Sequence, residues 1–283
     1  MQPGMELLLI ENELAILSRP TGVSAYDVDF GLHFACRHPY RLDREYDGIF
    51  RIGAPADYSA CYRDAIEAGI RPVNDPDQHR LASEIEHWYP LIADMTPKTR
   101  VFDALPEADL VEAEFGWPVF LKGSRQTSKH NPDLAVIANR AHYARAAAAY
   151  RNDPILHWQK PVLREFVPLA PVSGEIPGKI RPSLEFRTFW LHGTCVGCGP
   201  YWYQVPVYAS DRIDDGIALA AEVAARVPVP FLVVDIARAA DGRWIAIECN
   251  DAQESGHAGI PPQRLWRSIL DKHSAYSKIR RTS

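Results

Sequence analysis

Cysteine is scarce in this 283-residue chain: Cys36, Cys61, Cys195, Cys198 and Cys249 are odd in number and scattered. That usage excludes the disulfide framework of a small secreted domain and points to a reduced, cytoplasmic protein. Long apolar runs are missing as well. Nothing approaches the roughly 20 apolar residues that a membrane span needs. The apolar start at residues 7–10 is short and flanked by Glu6 and Glu11, unlike a signal peptide. A surplus of positive charge is also absent. The formal net charge of −5 gives no electrostatic reason to expect a nucleic-acid partner. There is no internal repeat, no low-complexity tract and no G-x-x-x-x-G-K phosphate loop. None of the ten histidines forms an H-x-x-x-H ligand pattern.

What is present suits a globular protein. The chain is 47% hydrophobic and 24% charged, and its seven Trp, twelve Tyr and ten Phe supply bulky core material. Charge is unevenly placed: residues 1–95 hold 8 Lys and Arg against 16 Asp and Glu, and the remainder holds 23 against 20. An acidic first third repels polyanions, and the rest suits phosphate chemistry.

Three blocks emerge. In the first, 1–95, Gly48-Ile-Phe-Arg-Ile reads as a buried strand, residues 58–68 as a helix stopped by Gly69, and residues 70–73 as a second strand. This strand–helix–strand unit is that of a small Rossmann-like α/β layer. Residues 77–93 read as helical. The second block, 96–172, holds the strand Pro118-Val-Phe-Leu-Lys-Gly, a polar loop at 123–132, an Ala-rich helix at 138–150 and a strand at 162–167. The third, 173–283, has two hairpins, turning at His192-Gly193 and Asp241-Gly242. Between them lies a helix whose predicted apolar face is Ile213, Ile217, Ala220, Ala221, Ala224 and Val227. The pattern is α+β, with mainly antiparallel sheets after the first block.

The second hairpin carries the most chemistry. If Asp241-Gly242 is a two-residue type I′ turn, Asp235 sits opposite Glu248, and Asn250 shares the face of Glu248. Like charges at that separation repel, so a cation is expected to offset them, and all-oxygen donors favour Mg²⁺ or Mn²⁺. A solvated acidic hairpin has the same pattern. Lys122, at a strand end beside a donor-rich loop, suits di- or triphosphate binding. It also fits a lysine snorkelling at a strand end. Glu185 and Arg187 share a strand face, as a phosphoryl clamp or as a surface ion pair. Cys195-Val-Gly-Cys198 has no second pair and no redox context.

In order and spacing these elements resemble the ATP-grasp superfamily, over about residues 75–260. The resemblance implies two α+β subdomains clasping ATP, preceded by the Rossmann-like block. Lys122 resembles the family's strand lysine on the phosphates. Arg164-Glu165-Phe166-Val167 resembles the hinge whose backbone meets adenine, and Glu185-x-Arg187 the strand with the phosphate-binding arginine. Asp235 with Glu248-x-Asn250 resembles the metal-binding set. The family's earlier lysine has no counterpart, and Arg80 (or His79) is the nearest basic residue. Glu175 is the candidate for the ribose. The implied activity is an ATP- and Mg²⁺-dependent ligase that activates a carboxylate as an acyl phosphate and joins it to an amine or similar nucleophile. Its substrates would be small molecules or peptides, contacted by Asp251, Gln253, Glu254, Ser255 and His257, with loop 123–131 closing over the nucleotide. A phosphotransferase and a non-catalytic nucleotide-binding regulator are the alternatives. A homodimer is compatible with the sequence.

Overall fold

The computed structural model describes residues 5–55, 57–125 and 132–282, with backbone alone for 277–282. Loop residues 126–131, on which the lid expectation mostly rests, lie outside the described residues. Among the described residues no helix is long and apolar enough to cross a membrane.

Strands β1 (Glu6–Ile10) and β2 (Leu14–Ser18) form an antiparallel hairpin, extended on the β1 side by short β3 (Cys36–Arg37). Beyond β2 the sheet continues in parallel through β4 (Tyr46–Arg51) and β5 (Ile70–Pro72). Helix α1 (Tyr58–Glu67) connects β4 to β5. Its first turn is capped by the Asp57 side chain, and Gly69, at φ +80°, turns the chain away after its end. The expected strand–helix–strand unit is thus present, inside a mixed five-stranded sheet and not a fully parallel layer.

Helix α2 (Pro76–Ser83) begins on an Asp75–Gln78 capping box with Pro76 in its first turn. The single helix expected over 77–93 breaks at Glu84, which is extended (φ −109°, ψ 120°), before α3 (Ile85–Trp88). The break has a tertiary cause. The Ile85 amide donates to Ser124 O at 3.1 Å, tying this segment to the chain leaving the second sheet.

That second sheet is wholly antiparallel, in the order β6-β9-β7-β8. It contains β6 (Thr99–Val101), β7 (Val119–Gly123), β8 (Val136–Ile137) and β9 (Pro161–Glu165), with α4 (Ala108–Phe115) before β7 and α5 (Arg140–Tyr150) before β9. Period-2 alternation divides its residues. Val119, Leu121 and Leu163 pack under Val111, Tyr143 and Ala146 of the two helices. Phe120, Lys122, Val162 and Arg164, which pair across β7 and β9, take the opposite face.

The third sheet, β11-β10-β12-β13, is also antiparallel. Strands β10 (Glu185–Leu191) and β11 (Thr194–Pro200) turn at His192-Gly193, both at positive φ (47° and 72°), as a two-residue hairpin requires. Helix α6 (Ile213–Arg226) leads to β12 (Phe231–Arg238), β13 (Trp244–Asp251) and the terminal helix α7 (Pro262–Thr282). The most buried stripe of α6 is Gly216, Ala220 and Val223, rotated slightly from the predicted face. Gly216 fits there because a Cβ would lie 2.9 Å from Ile236 and Trp244. One face of the sheet packs on α6, α3 and Val162 through Phe186, Trp190, Leu232 and Val234. The other packs on the first sheet and α7 through Phe189, Phe231, Val233 and Trp266. Both faces are therefore dry along most of their length, and polar residues of β10, β12 and β13 are left at the end that meets the other two sheets.

Candidate active site

Asp235 does pair with Glu248, but not through the two-residue turn. The loop is three residues, 240–242, with Gly242 at φ +91° and the Ala239 amide donating to Arg243 O. Taken alone, that extra residue would shift the register by one and put Glu248 on the other face. A bulge at Ile247 cancels the shift. Arg164 holds the bulge, donating from Nη1 to Ile247 O and from Nη2 to Thr96 Oγ1.

Across three adjacent strands, Arg187, Asp235 and Glu248 stand side by side on one face. Arg187 donates to both oxygens of Asp235, at 2.8 and 2.7 Å, and from Nη1 to Gly256 O at 3.0 Å, while its guanidinium lies over the Tyr201 ring. Burial alone would weaken the guanidinium's hold on its proton. Asp235 outweighs it and holds the group well above the usual arginine value. Lys122, from the second sheet, pairs with Glu248, and only 3% of the lysine is exposed. The cations that offset the two carboxylates are therefore Lys122 and Arg187, a correction to the picture of bare cross-strand repulsion. It also places Lys122 inside the protein and not at a solvated strand end. Arg164 is a third buried cation here; burial lowers its pKa to about 10, against the pull of Glu248.

Two cavities meet at Glu248. One, of about 390 Å³, lies between the second and third sheets. Its walls are largely apolar (Phe120, Val136, Phe166, Val167, Leu169, Ile180, Ile245, Ile247), with Lys122, Arg164, Glu165, Glu185 and Glu248 as polar groups. Glu185 is itself buried and accepts from Trp202 Nε1 at 2.8 Å and from Ser183. The other, of about 380 Å³, opens toward the first sheet and is lined by Thr21, Tyr26, Gly53, Arg125, Arg187, Asn250, Asp251, Glu254 and Ser255 as well as Glu248.

Not every sequence candidate is gathered there. Arg80 is half-exposed and pairs with Asp77, lining neither cavity; His79 beside it points inward and bonds Glu254. Gln253 acts as a latch to the first sheet, its Oε1 accepting from the Phe50 amide and its Nε2 donating to Tyr58 Oη. His257 is buried, and burial, then Arg51, lowers its pKa to about 3. Glu175 is exposed and outside the apolar cavity. Asp235 sits beneath Arg187 and lines neither cavity.

Three residues that spacing had not marked matter here. Tyr201 faces Arg187, and Arg125 reaches the polar cavity. Buried Arg51 donates to the carbonyls of Gln253 and Ser255 and to that of Tyr26, fixing the strand end that carries Asp251. No local signal announces Arg51, since its partners are 25 to 204 residues away.

Among the described residues no group of three or more His, Cys, Asp or Glu side chains could hold a metal ion. A cation that binds through one or two carboxylates and completes its shell with phosphate oxygens needs no such cage, and that is the habit of Mg²⁺. Asp235, Glu248 and Asn250 supply donors of that kind.

Three solved structures resemble this one: the D-Ala:D-Ser ligase VanG of Enterococcus faecalis (14% identity, TM-score 0.59, covering 83% of this chain and 74% of that one), a RimK domain protein of Sphaerobacter thermophilus DSM 20745 (17%, 0.52, 74% and 73%) and the D-cycloserine synthetase DcsG (16%, 0.52, 83% and 87%). The chain spans about half the length (53%) of two N5-carboxyaminoimidazole ribonucleotide synthetases that also match. At such identities the likeness is one of fold. No curated protein sequence matches the chain. A family model of the ATP-grasp domain, the third family of its clade, matches residues 86–269, so the chain belongs to the ATP-grasp family, in that clade.

Proposed function

We propose that this chain is an ATP- and Mg²⁺-dependent ligase that activates a carboxylate as an acyl phosphate and joins it to an amine or similar nucleophile. The observation that carries this reading is the junction at Glu248, where an apolar cavity and a polar one meet beside two buried cations. The apolar cavity suits an adenine, with the backbone of Glu165, Phe166 and Val167 along its edge. Lys122 and Arg187 then face the phosphates. Arg187 has two of its five N–H donors left for a phosphoryl oxygen once Asp235 and Gly256 are served. Asp235, Glu248 and Asn250 would hold the Mg²⁺, which when bound neutralises phosphate charge and orients the oxygens. The acid substrate sits in the polar cavity, against Asp251 and Ser255.

The test is an ADP-release screen over amino acids and small carboxylates paired with amines, with mass spectrometry of the products. The expected result is Mg²⁺-dependent ADP release with an amide product, lowered roughly 100-fold or more by Lys122→Ala. A phosphorylated acid or alcohol as the final product would make the protein a phosphotransferase and overturn the ligase reading. Metal-independent release would remove the assigned metal set.

A further inference from the structure

Phosphoryl transfer as drawn above leaves one group of titratable side chains in the polar cavity without a role. Glu254, just past β13, lines that cavity, and its Oε1 is hydrogen-bonded to Nε2 of His79 on α2. Its Oε2 is 4.0 Å from the Arg125 guanidinium. The His79 ring is buried and stacks on Tyr58 with centroids 4.0 Å apart and planes 10° apart. Tyr58 is itself pinned, donating to Asn74 O and accepting from Gln253 Nε2, both at 2.7 Å. One ring face and one ring edge of His79 are thus fixed, and its partner carboxylate borders the space where an acyl phosphate would form. The groups facing the pair are Tyr58 from α1, Asp251 from β13 and Arg125 from the chain after β7. A carboxylate oriented by a buried histidine and opening onto a reaction cavity is built to accept a proton.

We propose that Glu254 receives the acceptor as a primary ammonium and takes its proton, with His79 as the positioning residue that shares the acquired charge. This rests on the ligase reading above. The ammonium gives one proton to the Glu254–His79 pair. The freed amine attacks the acyl carbon, so that a C–N bond forms and the C–O bond to phosphate breaks. Phosphate leaves with the bonding electron pair and carries off the second proton.

The experiment compares two acceptors, with ATP, Mg²⁺ and the standard amino acids as acids. Hydroxylamine is neutral at pH 7 and intercepts acyl phosphates as hydroxamates without a base. Amino acid amides carry more of their amine as ammonium and need one. Glu254→Gln should lower amide formation at least about tenfold more than hydroxamate formation. Hydroxamate yield in the same sample measures the folded, activating enzyme. His79→Gln should move the rising limb of the amide rate to lower pH, because a lone carboxylate titrates below a histidine–carboxylate pair. Equal losses of both products, no loss of either, or an unmoved limb would overturn this inference and leave the ligase reading standing. No hydroxamate from the wild-type protein with any acid would overturn both.

Discussion

Arg187 and Lys122 alternate with Asp235 and Glu248, so each carboxylate at the cavity junction is held by a cation before any ligand arrives. This arrangement reverses a prediction that strand pairing alone would make. Two carboxylates facing each other across a ladder repel, and neutralising one should then relieve the hairpin. With Arg187 bound to both oxygens of Asp235 and the pair buried, Asp235→Asn instead strands a buried guanidinium. Its expected cost is about 3 kcal/mol of folding stability in the ligand-free protein, read by urea denaturation, together with loss of turnover. Unchanged stability would mean that the pair is not structural. Asp251 makes a pH prediction. Burial, and then the nearby Glu254 carboxylate, raise its pKa to about 6. Between roughly pH 4 and 6 the folded chain keeps a proton that the unfolded chain has lost. The stability this contributes is full below about pH 4 and is lost as pH rises through 6, about 3 kcal/mol at most. Asp251→Asn should therefore be stabilising relative to wild type near pH 7.5 and close to neutral near pH 4. An equal offset at both pH values would rule out the titration as its cause. The pairing of Asp235 with Glu248 was legible because strand period and a glycine turn encode it locally. The pairing of His79 with Glu254, 175 residues apart, was not.

At the scale of elements, agreement between pattern and structure came where a residue's own backbone preference decided the outcome. Gly69 and Gly193 turn the chain where positive φ is needed, and the Asp75–Gln78 box starts α2. The β1–β2 hairpin went unread because Glu11 and Asn12, both at φ 55°, replace the expected glycine there. The break at Glu84 and the bulge at Ile247 escaped for a different reason: each answers to a distant partner, Ser124 and Arg164 respectively. Such coupling between elements predicts the effect of Gly199→Ala on β11. A Cβ there would stand 2.6 Å from Ile260 Cγ1 and 3.0 Å from the Ile260 amide nitrogen, and a backbone atom cannot rotate away. The segment carrying Ile260 also carries Gly256, whose carbonyl accepts from Arg187. Overpacking should cost about 2 kcal/mol and lower turnover beyond what the melt explains. Stability loss with full turnover in the folded fraction would show that this segment and Arg187 move independently.

Across the whole molecule, the second sheet meets the rest of the protein through a few polar contacts above an apolar cavity. Lys122 reaches Glu248, Arg164 reaches Ile247, and Ile85 donates to Ser124. A nucleotide filling the 390 Å³ cavity would touch both sheets at once, so its binding energy is shared between two bodies that few direct bonds connect. A ligand that binds only the folded state stabilises it by RT ln(1 + [L]/Kd), about 2.7 kcal/mol at 100-fold excess over Kd. Mg²⁺ with a non-hydrolysable ATP analogue should therefore raise the melting temperature by several degrees. The shift should shrink when Mg²⁺ is withheld, because the triphosphate then meets Glu248 without a cation between them. In Glu248→Gln that dependence should change in a specific way. Neutralising the carboxylate removes its repulsion of free ATP, so the metal-free shift should grow while the Mg²⁺-dependent increment falls. A surface ion pair with no part in nucleotide binding would leave both increments as in wild type. Melts of the two proteins with the analogue alone, Mg²⁺ alone and the two together distinguish these outcomes, and parallel shifts in all three would remove Glu248 from the metal set.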